Sequence, residues 1–370
     1  MKHLYDPAPG EREAGERTWE VVRAAFEERL PSPRKRDWRP FALAAAAAVV
    51  LAAAFSPPGN AVFGSLRDAV RGERNAKPAL ASLPAPGRLL AESSSGIWVV
   101  QNDGSKRLLT GYRDAAWSPH GLYVAAVHGN ELRALEPNGR VHWSLGRTGR
   151  LRNPRWSFDG FRVAYFAGGH SLRVVNGDGT GDRLLTRDVR PGPVAWQPNA
   201  HTLAYVNRAG DIEISNVDKR NRNATVQTRA APGQLDWASD GKTFIAVEPH
   251  AVEVFSQRGP RIGGLDRGIA QVSAAAISPN GKRIAFVETR GGRSTLQLTG
   301  VLGGPTGPIF AGAGTFANIG WSPDGRWLLL DWRSADQWLF IHSPVKKVLA
   351  VSNIRANFGA DSRIAGWCCS

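Results

Sequence analysis

Eight histidines, two cysteines and one oxygen-rich loop are the side chains here with catalytic or metal-binding chemistry, and their spacing speaks against both uses. His3, His120, His128, His142, His170, His201, His250 and His342 fall singly. None stands in a Ser, His and Asp pattern of the kind that would point to a nucleophile relay, although such relays assemble in space. There is no G-x-S-x-G elbow. Cys368 and Cys369 are adjacent, so they cannot staple distant parts of a fold and do not have zinc-ligand spacing. A vicinal disulfide, pairing between chains, or two small apolar residues on a last strand are the readings open to them. Asn176-Gly-Asp-Gly-Thr-Gly-Asp182 alternates oxygen ligands as a calcium loop does. Arg187 stands where the twelfth position of such a loop needs an acid. The expectation is a chain that is not an enzyme, with no catalytic residues, no cofactor and no metal.

The elements that carry these residues are repeats. Six segments share one pattern: Trp117-Ser-Pro-His-Gly121, Trp156-Ser-Phe-Asp-Gly160, Trp196-Gln-Pro-Asn-Ala200, Trp237-Ala-Ser-Asp-Gly241, Ile277-Ser-Pro-Asn-Gly281 and Trp321-Ser-Pro-Asp-Gly325. Their first residues are 39, 40, 41, 40 and 44 apart, a period typical of architectures in which each unit is one small sheet. After each turn comes a short run rich in Val, Ile, Phe and Tyr, such as Leu122 to Val127, Phe161 to Phe166 or Thr202 to Val206, which reads as a buried strand. The Pro-Asp-Gly chemistry closes a hairpin, and Ala200, lacking the glycine's freedom at positive φ, predicts a different turn there. A second turn recurs at Asn102-Asp-Gly104, Pro137-Asn-Gly139 and Gly177-Asp-Gly179. Each unit is thus expected to be four short antiparallel strands, with the repeated Trp117, Trp156, Trp196, Trp237 and Trp321 packed between adjacent sheets.

The repeated W-S-P-D-G, followed by an apolar strand and a D-G-[ST] turn, resembles the propeller repeat of TolB-like proteins over residues 87–370. The resemblance implies an all-β propeller of the WD-repeat-like kind, and a periplasmic or extracellular binding module. Related repeats sit beside the hydrolase domain of prolyl oligopeptidase-type enzymes, but no such region is evident after this one. The tail Ile364-Ala-Gly-Trp367 imitates Asn318-Ile-Gly-Trp321 and then stops, while its missing remainder precedes the first repeat at Pro86-Gly-Arg-Leu-Leu90 and Ile97 to Val100. Joined, the two halves make a seventh blade with Trp367 as its repeat Trp; if the tail does not close the ring, the count is six.

Residues 1–86 are of another kind. Phe41 to Phe55 is unbroken and apolar, preceded by Arg34-Lys-Arg36 and Arg39. It reads as a transmembrane anchor over 41–56 with the N-terminus cytoplasmic and the propeller outside. A cleaved signal peptide and a soluble Ala-rich helix are its rivals. The Pro/Ala-rich stretch 57–86 reads as a tether. In the 1–40 segment Trp19, Val22, Phe26 and Leu30 recur at helical spacing, a candidate partner-binding face on a helix that Pro31 ends. Net charge is +15, which favours an anionic cell-envelope polymer or a protein as the propeller's partner. Nucleic acid is disfavoured, since no module for it is visible. The expected function is a membrane-anchored, non-catalytic binding or scaffold module. The alternative is an anti-sigma-like transmembrane regulator, with an outer propeller sensor and an inner helix that captures a cytoplasmic protein. The Gly-rich segment between Arg290 and Thr315 is the expected irregularity of the ring.

Overall fold

The computed structural model describes residues 82–369 apart from 220 and 344–346. The helical pattern around Trp19, Val22, Phe26 and Leu30, the apolar stretch 41–56 and the tether up to residue 81 lie outside the described residues. Among the described residues no helix is long and apolar enough to cross a membrane.

Strands too short and too β-branched to form helices pair into seven four-stranded antiparallel sheets. Each sheet alone would leave two apolar faces in water, and the ring buries them blade against blade. Alternation along one strand shows how: in Thr243–Glu248 of blade 5, Phe244 and Ala246 pack against blade 4, while Ile245 and Val247 pack against blade 6. The first strand of each unit, such as Arg113–Trp117 or Leu151–Trp156, is innermost and lines a central channel. All seven inner strands run from what is here called the upper rim to the lower rim, where six of them lead into the repeat turns and the seventh, Arg363–Cys368, is the last strand.

The ring closes as the split repeat predicts, and the count is seven. The inner strand of blade 1 is the last of the chain, Arg363–Cys368, paired antiparallel with Arg88–Ser93 through Leu89↔Trp367 and Leu90↔Gly366. Beside this seam a short helix, Ile354–Phe358, sets Phe358 against Trp98 and Trp338, and its last carbonyl accepts the Trp98 indole N–H at 2.6 Å.

The lower-rim turns show why Ser, Asp or Asn, and Gly recur. In blade 3 the Ser157 hydroxyl donates to Asp159 (2.6 Å) and accepts the Arg162 N–H (2.9 Å), while Asp159 accepts the Phe161 N–H (2.9 Å). Gly160 takes φ +78°. Blade 7 repeats the arrangement with Ser322, Asp324 and Gly325. In blade 4 the left-handed residue moves back one place: Asn199 has φ +61° and Ala200 is not left-handed, because Asn tolerates that region better than Ala.

Two expectations need adjusting. The strand expected from Leu122 begins at Val124, and Leu122 is an exposed turn residue. The Gly-rich segment 290–315 is no irregular insertion. It forms the long hairpin strands Arg293–Gly300 and Gly307–Ala313 of blade 6.

Candidate functional site: the central channel

The repeat fixes which residues reach the channel. The residue before each repeat Trp, or before Ile277 in blade 6, is Ala116, Arg155, Ala195, Asp236, Ala276, Gly320 and Gly366, and five of these, Arg155 and Asp236 included, line a cavity of about 950 Å³ at the ring's centre. Five of the seven positions are Ala or Gly, so the wall is nearly smooth and two charged side chains of opposite sign interrupt it.

Arg155 is exposed to this cavity and has no ion pair among the described residues; its guanidinium donates only to the carbonyl of Pro154, at 2.9 Å. Desolvation lowers its pKa, Asp114 and Glu92 offset this, and Arg363 adds to it. Asp236 sits in blade 5 and accepts the Ile277 N–H at 3.3 Å. Burial pushes its carboxyl up to about 7 against the backbone donors of Ile277 and Trp237, so near neutral pH it carries only part of a charge. The fixed charge of the mid-channel is therefore that of Arg155.

Towards the upper rim the charges gather. Arg363 reaches Glu92 at 2.9 Å and Asp114 at 3.5 Å, and the Asp114 N–H donates to Glu92 at 2.9 Å. Asp114 holds φ +51° and Asn153 φ +50° on bulged inner strands, conformations that cost on the order of 1–2 kcal/mol for a non-glycine residue. Burial, then the Glu92 charge, raises the Asp114 pKa, with Arg363, Arg113 and Arg155 pulling the other way. The Asn153 amide is spent on the Gly192 carbonyl across the gap to blade 4 (3.2 Å). With both acids ionised, two carboxylates face the three guanidinium groups that act on Asp114, an excess of one positive charge.

The repeat tryptophans lie behind this wall. Trp196, Trp237 and Trp321 donate their indole N–H to the carbonyls of Arg155, Ala195 and Ala276, at 2.9, 3.2 and 3.1 Å. Each acceptor is the residue before the repeat Trp, or before Ile277, of the preceding blade, so these side chains tie neighbouring inner strands. Trp156 is buried without such a bond, and Trp117 and Trp367 are half-buried, with Arg88 stacked over Trp117. The helix-face residues Trp19, Val22, Phe26 and Leu30 lie outside the described residues.

The Asn176–Asp182 segment is a turn: Asp178 accepts both the N–H and the hydroxyl of Thr180 (2.9 and 2.7 Å), and Asp182 pairs with Arg147, Arg173 and the Tyr165 hydroxyl. Among the described residues no three His, Cys, Asp or Glu side chains group closely enough to hold a metal. Cys368 and Cys369 form a vicinal disulfide beside the Ser118 and Pro119 carbonyls.

None of Arg155, Asp236 or Glu92 stands out by composition. The signal for the first two is register: an Arg and an Asp at a position that five of seven repeats give to Ala or Gly.

A seven-bladed propeller with a polar, partly charged channel is the class that the fold and site define, and such a frame suits binding or scaffolding. No family model matches the chain, and no curated protein matches it. Among solved structures 1682 chains match, so the architecture is too widespread to choose a function. One of them is hydrazine synthase of Kuenenia stuttgartiensis, with a TM-score of 0.52 and 14% identity, over 63% of this chain and 76% of that one. At that identity the likeness concerns the fold alone.

Proposed function

We propose that this protein is a non-catalytic binding module of the TolB-like kind, held at a membrane by residues 41–56 with its propeller outside, and that its channel takes an anionic group of its partner. The observation that carries this is Arg155, a guanidinium on the channel wall without a carboxylate partner, set among Ala and Gly positions. An unpaired cation in a confined, partly desolvated cavity attracts a phosphate or carboxylate more strongly than the same group on an open surface. Arg suits this role because its planar fork can give two parallel hydrogen bonds to either anion. The basic balance of the chain draws an anionic envelope polymer or an acidic protein segment towards it. Anchorage rests on the apolar run Phe41 to Phe55 behind Arg34, Lys35, Arg36 and Arg39.

A second reading rests on Trp19, Val22, Phe26 and Leu30, whose spacing presents one apolar helical face ahead of the anchor. A regulator of the anti-sigma type would use that face for a cytoplasmic protein. One experiment separates the two: affinity capture from native membranes with the intact chain, with Arg155→Gln, and with Trp19→Asp/Phe26→Asp. Loss of the main partner with Arg155→Gln alone supports channel binding. Loss with the helix variant alone supports the regulator. Retention by both variants sinks both readings.

A further inference from the structure

The groove between blades 4 and 5 carries a carboxylate that the protein answers only in part. Its cavity, about 590 Å³, is lined by the outer strand of blade 4 from Thr225 to Arg229 and by Glu248, Glu253, Phe255 and Arg258 to Arg261 of blade 5. Glu248 and Glu253 are 4% and 3% exposed. Both stand on the side of blade 5 that faces blade 4, in line with Phe244 and Ala246. Glu253 is answered: Arg261 pairs with it, and Gly264 leaves room for its carboxylate, since a Cβ there would come within 2.7 Å of Glu253 Oε2. Glu248 is answered only in part. The backbone N–H groups of Arg229 and Ala230 bond to its carboxyl, but its Oε1 is buried with no hydrogen-bond partner.

Three of the other polar side chains of the groove are already committed, and Gln227 is exposed. Thr225 donates to Glu213, Thr228 to the Gly210 carbonyl, and Arg229 pairs with Asp266. The charged groups that remain are Glu248, a buried acceptor beside a second carboxylate, and, at the lower end, the exposed Arg258, which has no ion pair among the described residues. A buried carboxyl oxygen left without a donor is a cost to the fold, and a positively charged donor is the partner that repays it best. A metal ion is a poor match, because only two carboxylates are present and one is held by Arg261. Glu248 is the last residue of blade 5's second strand, at the upper end, whereas Arg258 lies in the lower turn beyond Ala251–Ser256. Six residues of strand separate these ends by roughly 20 Å, and both side chains reach inward over part of that length.

We infer that this groove binds a linear organic cation, its primary ammonium group seated on Glu248 beside Glu253 and any carboxylate at its far end met by Arg258. The floor between the two ends is apolar, formed by Val226 and Phe255, and suits a methylene chain. Lysine-like and ω-amino-acid-like molecules have this chemistry. The site does not depend on Arg155 or on an anionic partner. Glu248 also borders the channel, which places the upper end of the groove next to the upper mouth.

The test is titration calorimetry on the full-length protein at pH 8 with three probes: hexylamine, hexanoate and 6-aminohexanoate. The two amines are expected to bind and hexanoate not to, with 6-aminohexanoate the tighter of the two by at least threefold. Glu248→Gln should weaken both amines at least tenfold, while its unliganded melting temperature stays level or rises, because the substitution removes a buried, incompletely answered charge. Arg258→Ala should cancel the advantage of 6-aminohexanoate and leave hexylamine unchanged. Binding of hexanoate as tightly as hexylamine, no binding of either amine, or unaltered amine binding by a folded Glu248→Gln protein would each overturn the assignment. A fall in the melting temperature of unliganded Glu248→Gln would also count against it, as it would show Glu248 to be answered within the fold.

Discussion

At the lower rim the acids are held by their own turns, whereas in the channel and at the upper rim they are held against their preference. Asp103 and Asp178 lie below the ordinary carboxylate range because Ser105 and Thr180 donate to them from side chain and backbone. Asp159 and Asp218 are also lowered: partial burial pulls them up, but Ser157, Phe161 and His201 on one, and His201 and Arg162 on the other, outweigh it. Burial raises Asp236 to about 7 and Asp331 to about 6, and it raises Asp114 and Glu248 as well. The exposed Asp266, bonded by the Gly268 N–H and Arg229, is an upper-rim exception. One rim repeats a turn whose groups satisfy one another; the other collects groups that the fold alone does not satisfy. Such strained groups are commonest where a protein does something besides fold.

The contrast can be broken from either side. The largest effect should come from the wall behind the turns: Trp321→Ala removes a buried indole and its bond to Ala276, and should cost about 3–5 kcal/mol in urea unfolding. A loss below about 1 kcal/mol would mean that the inter-blade Trp does not hold the ring. Next is Arg155→Met, expected to cost at least tenfold in partner affinity, about 1.4 kcal/mol, while the melting temperature stays level or rises. If stability falls and affinity does not, the channel arginine is structural.

The pH dependence sharpens the comparison. A carboxyl whose folded pKa is raised stabilises the fold fully below its unfolded value of 3.8, and that contribution is lost as pH rises through the folded value. Stability should therefore decline between about pH 4 and pH 7 through Asp236 and Asp331, and Asp236→Asn should flatten the decline. A profile that the substitution does not alter would remove Asp236 from the account.

The lower rim has a titration of its own. His201 bridges Asp159 (2.5 Å) in blade 3 and Asp218 in blade 4. Burial lowers its pKa, but the two carboxylates outweigh that and raise it. Its contribution is present below about pH 6.5 and fades as pH rises through the folded value. His201→Asn should cost about 1 kcal/mol at pH 6 and almost nothing at pH 9; an equal cost at both would show packing, not charge. Smallest of all, Asn199→Gly should raise stability by less than about 1 kcal/mol, by relieving the left-handed strain in the one of the six repeat turns that lacks glycine.

The lower rim was far more legible than the upper. A turn writes its chemistry into adjacent letters, so Ser322-Pro-Asp-Gly325 announces its own hydrogen bonds, and six such words in phase announce the ring. The split seventh blade was legible for the same reason, because Ile364 to Trp367 copies Asn318 to Trp321. The channel is assembled from one residue per blade, some forty positions apart. Arg155 and Asp236 acquire meaning only when the repeats are stacked and one column is read downwards. Glu248 is harder still: its isolation depends on what Thr225, Thr228 and Arg229 of the neighbouring blade do with their own polar groups. The Ala200 turn was foreseen as different, but the way it differs, with Asn199 taking the left-handed place, depended on local backbone energetics.

The seam in blade 1 has a consequence for how the chain is made. Glu92 and Arg363, paired across it, lie 271 residues apart. A ribosome adding 5–20 residues per second takes roughly 15–55 s to supply the second after the first. For that interval Arg88–Ser93 offers an open strand edge with no sheet to complete it, an invitation to pair with another nascent chain. Synthesis speed and chaperone cover should therefore govern the yield of this protein more than the stability of any single blade.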